Sequence, residues 1–481
     1  AYEMGFGDWS SDVCSSDLNN FSISNNKIGG SEADCGGTPW TITGTVNYKF
    51  NGIYLACGNT IASSIQGNKI ANMEITSSSS GSASQAIATG IYVSCGDVNI
   101  GTQNGNTIGS LTASNSFKVT GGSNVGYPWF AGIMVYLDAN PGVITVKNNN
   151  IGGLSGLCSN VTGTATVKGI LILGTSSHNT VNISGNTVGG ESENGKITAG
   201  DMNTTSGLSE VLGIEMNAYG TSQISNNTVR SLTAYPQSGA TKTYGIKSTR
   251  ATLIDGNLVY NISGTNASAS LYGIYTSFSN AWVINNMIRL GYKEDGAELT
   301  TCNLHGLYAT GSNLSIYHNS VYIGGTGVES GFSCSFCEGG SEDAIRNNIF
   351  VNTRSNGTGT DKHYCYFVGL PPNFDYNLAF ATGTGSWIGC TSGIDRNWAD
   401  WQGLGFDIHG INEDPLFVNA TGAVPDLHLA SYSPADAAGV SGLGVISDID
   451  NENRMLLTPV DIGADAGRSE ERRVGKECRS R

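Results

Sequence analysis

Short aliphatic clusters alternating with polar residues recur from Phe21 to Ala379. One six-residue pattern reads aliphatic, any residue, Gly or Asn, Asn, any residue, aliphatic. It appears as ISNNKI ending at Ile28, IQGNKI at Ile70, VKNNNI at Ile151, ISGNTV at Val188 and IDGNLV at Val259. A degenerate copy, FDYNLA, ends at Ala379. The shared asparagines are Asn26, Asn68, Asn106, Asn149, Asn186, Asn227, Asn257, Asn286, Asn319 and Asn348, with Asn377 closing the series. A second pattern, Gly followed by Ile or Leu, precedes most of them: GIYLA from Gly52, GIYVS from Gly90, GILIL from Gly169 and GLYAT from Gly306.

Segments of four to six residues with period-two alternation are strand units, not helices. Strand units repeated at a near-fixed offset are the signature of a solenoid. The chain is therefore expected to be all-β, a single-stranded right-handed parallel β-helix of about eleven coils with a C-terminal capping segment. Ile53, Ile91, Ile133, Ile170, Ile214, Ile246, Ile274 and Leu307 should stack as one inward aliphatic ladder. The shared asparagines should sit at a bend, where Asn tolerates left-handed backbone, with their amides bonded from coil to coil. Repeats are expected over 19–390 and the last coils and cap over 391–467. The inserts SSSSGSAS from Ser77 and SNSFKVTGGSN from Ser114 read as loops on a corner.

The two ends do not share this pattern. Residues 1–18 and 468–481 resemble read-through translations of sequencing-library adapters, most closely from Asp8 to Leu18 and from Arg468 to Arg481. They are set aside from fold reasoning. On that reading a signal peptide or anchor cannot be observed.

Composition narrows the classes. Charged residues are 13% of the chain, Gly numbers 67, and the net charge is −15. An acidic chain without a basic stripe points away from nucleic acid and anionic membranes. No apolar run reaches spanning length. Nine Cys remain between the two end strings, which favours an oxidising, extracellular or cell-surface setting.

After Asn377 the chain contains EDPLF from Glu413, DLHL from Asp426, SPADAAG from Ser433, DIDNENR from Asp448 and DIGAD from Asp461. This order resembles the terminal segment of bacterial secreted β-helix repeat proteins, of pectin-lyase-like fold. The resemblance covers roughly the last seventy residues before the end string. It departs at Asp450-Asn451, where the relatives usually have Asp-Gly. It implies a secreted solenoid whose open end is covered, as edge protection requires. Fold likeness alone does not specify activity.

The candidate chemistry is sparse. A polyuronate lyase needs carboxylates for Ca²⁺ and a basic proton acceptor, and a glycosidase needs paired carboxylates. Neither an Asp-Asp dipeptide nor an Arg-x-Lys triplet occurs, so no catalytic residue is assigned. Glu215 occupies the outward position after its Gly-Ile pair, with Lys247 one coil on and Arg250 nearby; a cross-strand ion pair is the expected role. Three or more outward charges converging in one groove would instead favour an enzyme.

Tyr54, Tyr92, Tyr275 and Tyr308 share that outward position, separated by Met134 and Leu171. Their rings could stack on sugars or simply pack against loops. Cys57 and Cys95 follow their Gly by the same offset, compatible with a disulfide or with a reduced buried pair. Cys334-x-x-Cys337 lies one coil before His363 and Cys365; disulfides or buried thiols are preferred to a Zn site, and no metal is assigned. Asp448, Asp450 and Glu452 alternate as in some Ca²⁺ loops but lack the glycine and final acid, so turn capping is expected.

These readings point to an extracellular or cell-surface scaffold, adhesin-like or glycan-binding, with polysaccharide as the partner and no cofactor. A polysaccharide lyase or hydrolase is the enzymatic alternative, and a phage tail-spike-type fragment a third.

Overall fold

The computed structural model describes residues 18–466 apart from 45–47, 79–85, 122–128, 138–141, 159–164, 178, 201–208, 236–240, 328–330, 339–342, 357–359, 370–372 and 457–458. The two end strings thus lie, except for Leu18, outside the described residues, as does most of the Ser77 insert.

The architecture is a parallel β-helix. Each coil contributes to three sheets in turn. The first has eleven strands, from Ser22–Ser24 to Asn373–Asp375. The second has sixteen, because its early coils split into two segments, such as Lys69–Ile70 and Met73–Ser77. The third has twelve, from Phe50–Ala56 to Ser386–Thr391 plus the antiparallel Ile394–Arg396. The Ser114 insert is not wholly a loop. Phe117–Gly121 is a second-sheet strand, since Phe117 and Val119 alternate inward and pair with Met73 and Ile75.

The predicted ladder of Ile53 to Leu307 is in register throughout and buried in one continuous core. The Gly preceding each Ile is required by close approach. A Cβ on Gly213 would lie 2.3 Å from Val229 Cγ1 and 2.5 Å from the Gly245 carbonyl oxygen.

The asparagines form an unbroken file between the first and second sheets. From Asn26 to Asn348, each Nδ2 donates to Oδ1 of the asparagine one coil on, at 2.8–3.0 Å. Asn227 is typical. Its Nδ2 also donates to the carbonyls of Ile183 and Ser225, and its Oδ1 accepts from both nitrogens of Asn186. The left-handed residue is not the ladder Asn but the one before it: Asn25, Gly67, Asn148, Gly185, Asn226, Gly256, Asn285 and Asn347. The Gly-or-Asn step of the motif serves the backbone, and the second Asn serves the amide file. His318 and Tyr376 occupy the left-handed position at φ 55° and 58°.

The file ends on a carboxylate. Asp407 Oδ1 accepts from Asn377 Nδ2 at 2.8 Å, and Asp407 Oδ2 accepts from Trp401 Nε1 at 3.0 Å. Trp401 belongs to a short helix, Trp398–Gly403, N-capped by Asn397. It stacks on Tyr366 at 4.7 Å and closes the apolar interior with Phe374 and Phe406.

The segment with the DPLF-to-DIGAD series does something else. It lies along the flank of the later coils, over the outer face of the second sheet. Arg289 donates to the Gly422 carbonyl, Asn347 exchanges bonds with Val440, and Arg454 bridges Asn285 to the Gly463 and Ala464 carbonyls. Leu427, Ala435, Ile462 and Ala464 pack there on Met287, Tyr322, Ile349 and Leu378 as a second core. The residue after each ladder Asn explains the docking. It is Lys27, Lys69, Thr107 or Thr187 in early coils but Leu258, Met287, Ile349 or Leu378 later. Strands apolar on both faces must be covered on both. Asp448 caps its turn as expected, accepting from the amides of Asp450 and Glu452.

Two outcomes follow. Asn227→Ala should lower stability by about 3 kcal/mol, because it orphans several buried polar groups at once; a urea midpoint unchanged from the parent would refute this. Burial pushes the Asp407 carboxyl up to about 6, against the bonds from Asn377 and Trp401. The folded state therefore binds this proton more tightly than the unfolded chain. The gain, about 3 kcal/mol, is full below about pH 4 and lost as pH rises through about 6. The difference in melting temperature between parent and Asp407→Asn should vary across that window; a flat difference would contradict it.

Candidate functional site

The outer face of the third sheet carries two side-chain rows. In each regular coil the Gly and the following Ile both turn inward, so residues three apart share the outer face. Tyr244 and Lys247 illustrate this, with the Lys247 ammonium 4.9 Å from the Tyr244 ring centre. The row one before Gly runs Lys168, Leu212, Tyr244, Tyr272, His305, Cys334, Tyr364. The row two after Gly runs Leu171, Glu215, Lys247, Tyr275, Tyr308, Cys337, Phe367. Sequence reasoning found only the second row, because alternation alone assigns the residue before Gly no face.

The four tyrosines form two separate pairs. Tyr54 and Tyr92 are tilted at 5.5 Å. Tyr54 is 57% exposed, whereas Tyr92 is buried beside Ala131, Met134 and Leu171. Tyr275 and Tyr308 stack at 5.4 Å and 9°. Beside them Tyr244, Tyr272 and His305 stack at 4.7 and 4.6 Å. The rows meet edge to face, as ring quadrupoles prefer. Stacking along the solenoid axis occupies the ring faces. Tyr244 is buried, and Tyr272, Tyr275 and Tyr308 are half-buried, so these three rings offer the surface that remains.

Glu215 lies between two lysines, but its close partner is not Lys247. Lys168 Nζ sits 2.5 Å from Oε2, and Lys247 Nζ 4.0 Å from Oε1. Lys168 reaches from the neighbouring row, which is why spacing did not reveal it. The three charges converge, yet Lys168 and Glu215 are 5% and 8% exposed, a covered cluster and not an open groove. Glu215 is the one carboxylate in either row. Arg250 is elsewhere, its guanidinium over the Tyr219 ring at 3.8 Å.

The cysteines divide. Cys57 is a free, buried thiol and makes no bridge to Cys95. A register shift pairs Ala56, not Cys57, with Cys95, so the equal offsets from Gly do not bring the sulfurs together. Cys334 and Cys337 are joined as a disulfide on the outer face, with Cα atoms 5.9 Å apart. His363 and Cys365 are not beside them. His363 bonds Ser333 and Asn356, and Cys365 is buried in the main core. The histidine near the pair is His305. It precedes the ladder Asn of its coil by 14 residues, the offset of Cys334 in the next coil, and that equality was legible.

A second polar cluster lies in the flanking segment. His428 pairs with Asp426 at 2.5 Å and Asp450 at 2.8 Å, with Asp465 nearby. Burial works against its charge, but these carboxylates outweigh it and push the imidazole up. Both ring nitrogens are engaged, as in a His⁺ ion-pair network.

No protein-family model matches the chain, and no curated protein matches it. Among the described residues no helix is long and apolar enough to cross a membrane.

Lys168→Met should destabilise the fold by about 3 kcal/mol, since it leaves a buried carboxylate with only the distant Lys247 ammonium. Adding Glu215→Gln should restore most of the loss in a urea titration. If the double variant is no better than the single, the pairing does not carry the cost.

Proposed function

We propose that the chain is an extracellular or cell-surface β-helix scaffold, adhesin-like, whose third-sheet outer face binds a neutral glycan. The observation that supports this is the cluster of half-buried tyrosines Tyr272, Tyr275 and Tyr308 on two adjacent coils. Tyr275 and Tyr308 repeat there at the coil spacing of about 4.8 Å. A periodic, hydroxyl-bearing surface suits a periodic, hydroxyl-bearing polymer. The net charge of −15 disfavours a polyanionic one. The bacterial secreted class suggested by the C-terminal series agrees with this reading.

One observation favours a second reading. The Lys168–Glu215–Lys247 cluster combines a carboxylate with two cations, the parts a polysaccharide lyase would need. Its burial argues for the scaffold.

Affinity electrophoresis against neutral and acidic polysaccharides separates the two. Retardation by a neutral polymer, weakened about tenfold by Tyr275→Ala with Tyr308→Ala, supports the scaffold reading. Unsaturated product from a polyuronate would replace it with the lyase, and no retardation by any polymer would remove glycan binding.

A further inference from the structure

The His305, Cys334 and Cys337 side chains converge more closely than a scaffold requires. Strand Ser333–Glu338 has Ser335 where the preceding coils have Gly, and Ser335 and Phe336 both turn inward and are fully buried. Ser335 Oγ donates to the Val351 carbonyl at 2.7 Å, which pins that inward turn. Cys334 and Cys337, three residues apart, are thereby forced onto one face. His305 approaches from the preceding coil, its Nδ1 3.5 Å from Cys334 Sγ and 3.4 Å from Cys337 Sγ.

The imidazole is held on several sides. It stacks on Tyr272 at 4.6 Å and 9°, meets Tyr308 at 89°, and lies 5.6 Å from Phe332. A neutral imidazole offers a metal the lone pair of its unprotonated ring nitrogen. Zinc bonds of about 2.0–2.1 Å to imidazole nitrogen and about 2.3 Å to thiolate sulfur, at a tetrahedral angle, put nitrogen and sulfur about 3.6 Å apart. Both nitrogen–sulfur distances are already close to that value. Only the two sulfurs need to separate, to about 3.8 Å.

We propose that His305 Nδ1 and the reduced Cys334 and Cys337 sulfurs form a three-ligand Zn²⁺ site, for which the disulfide is the oxidised, closed state. A dithiol supplies the reduction. Its two electrons and two protons go to the Cys334 and Cys337 sulfurs as their bond breaks, and the dithiol leaves as its own disulfide. Zn²⁺ then displaces both thiol protons into solvent and takes the imidazole lone pair. Two cysteines and a histidine leave the fourth position for water or an outside donor. The site would bind metal when reduced and free it when a small-molecule disulfide takes the two electrons of the rejoining Cys334 and Cys337 sulfurs and leaves as two thiols, independently of glycan binding.

The test uses the full chain, reduced with dithiothreitol, desalted without oxygen and titrated with Co²⁺. One equivalent should give sulfur-to-cobalt charge transfer and the visible bands of tetrahedral cobalt, both erased by Zn²⁺. The unreduced chain should give neither. Cys334→Ser with Cys337→Ser should abolish the signal, and His305→Gln should weaken binding about tenfold or more. Should these variants fail to fold, protection of Cys334 and Cys337 from iodoacetamide by Zn²⁺, read by peptide mass spectrometry in the parent chain, serves as the independent check. Loss of protection at those two positions, no signal from the reduced parent, or a signal surviving in the double serine variant would each overturn the site. The last would assign binding to other thiols, such as Cys35 or Cys302.

Discussion

Everything in this molecule depends on coils stacking without slippage, and the asparagine file enforces it. A parallel strand pair alone tolerates register error, because its main-chain bonds are equivalent at every step. A buried carboxamide does not. Shift one coil by a residue and Asn227 would lose its partners above and below, leaving several buried groups unsatisfied. The isoleucine ladder also opposes a one-residue slip, which would turn its side chains outward, but the amides alone distinguish slips that keep apolar residues inward. Hydrophobic burial makes the solenoid compact, and the amides decide which residue lies over which.

That division explains what could be read in the sequence. The asparagines and glycines are discrete signals, so coil number, ladder membership and the inward isoleucines were all accessible. The inward double step after each Gly was not, because it breaks the alternation by which faces are assigned. The row holding Lys168, Tyr272, His305 and Cys334 was therefore missed, and with it the closer partner of Glu215. The end of the file was missed for a different reason. Asp407 lies 30 residues after Asn377, in step with the preceding coils, but a carboxylate does not look like a carboxamide in a motif. The flanking segment was foreshadowed by the switch from Lys and Thr to Leu, Met and Ile after the ladder Asn, a change in one column that only the aligned coils display.

The three faces have distinct roles. The second sheet is polar in its early coils and sealed by the C-terminal segment later. The first supplies the approach to the asparagine bend. The third, with its paired rows, gathers the aromatic, charged and sulfur chemistry. Rings from adjacent coils stiffen it, since stacked pairs such as Tyr275 and Tyr308 contribute about 0.5–1.5 kcal/mol beyond area burial. The same stacking hides ring faces.

The asparagine file also makes one coil equivalent to any other at its interfaces. Excision of the stretch from one ladder Asn to the next would rejoin two compatible surfaces and leave a shorter but continuous solenoid. Unequal recombination between repeats could therefore lengthen or shorten such a chain while the core persists. The outer-face chemistry has no such immunity. Cys334 has His305 beside it only because their two coils are neighbours, so a lesion invisible to the fold would dissolve the constellation. Architecture and chemistry here are inherited at different granularity, the first by the motif and the second by the order of the coils.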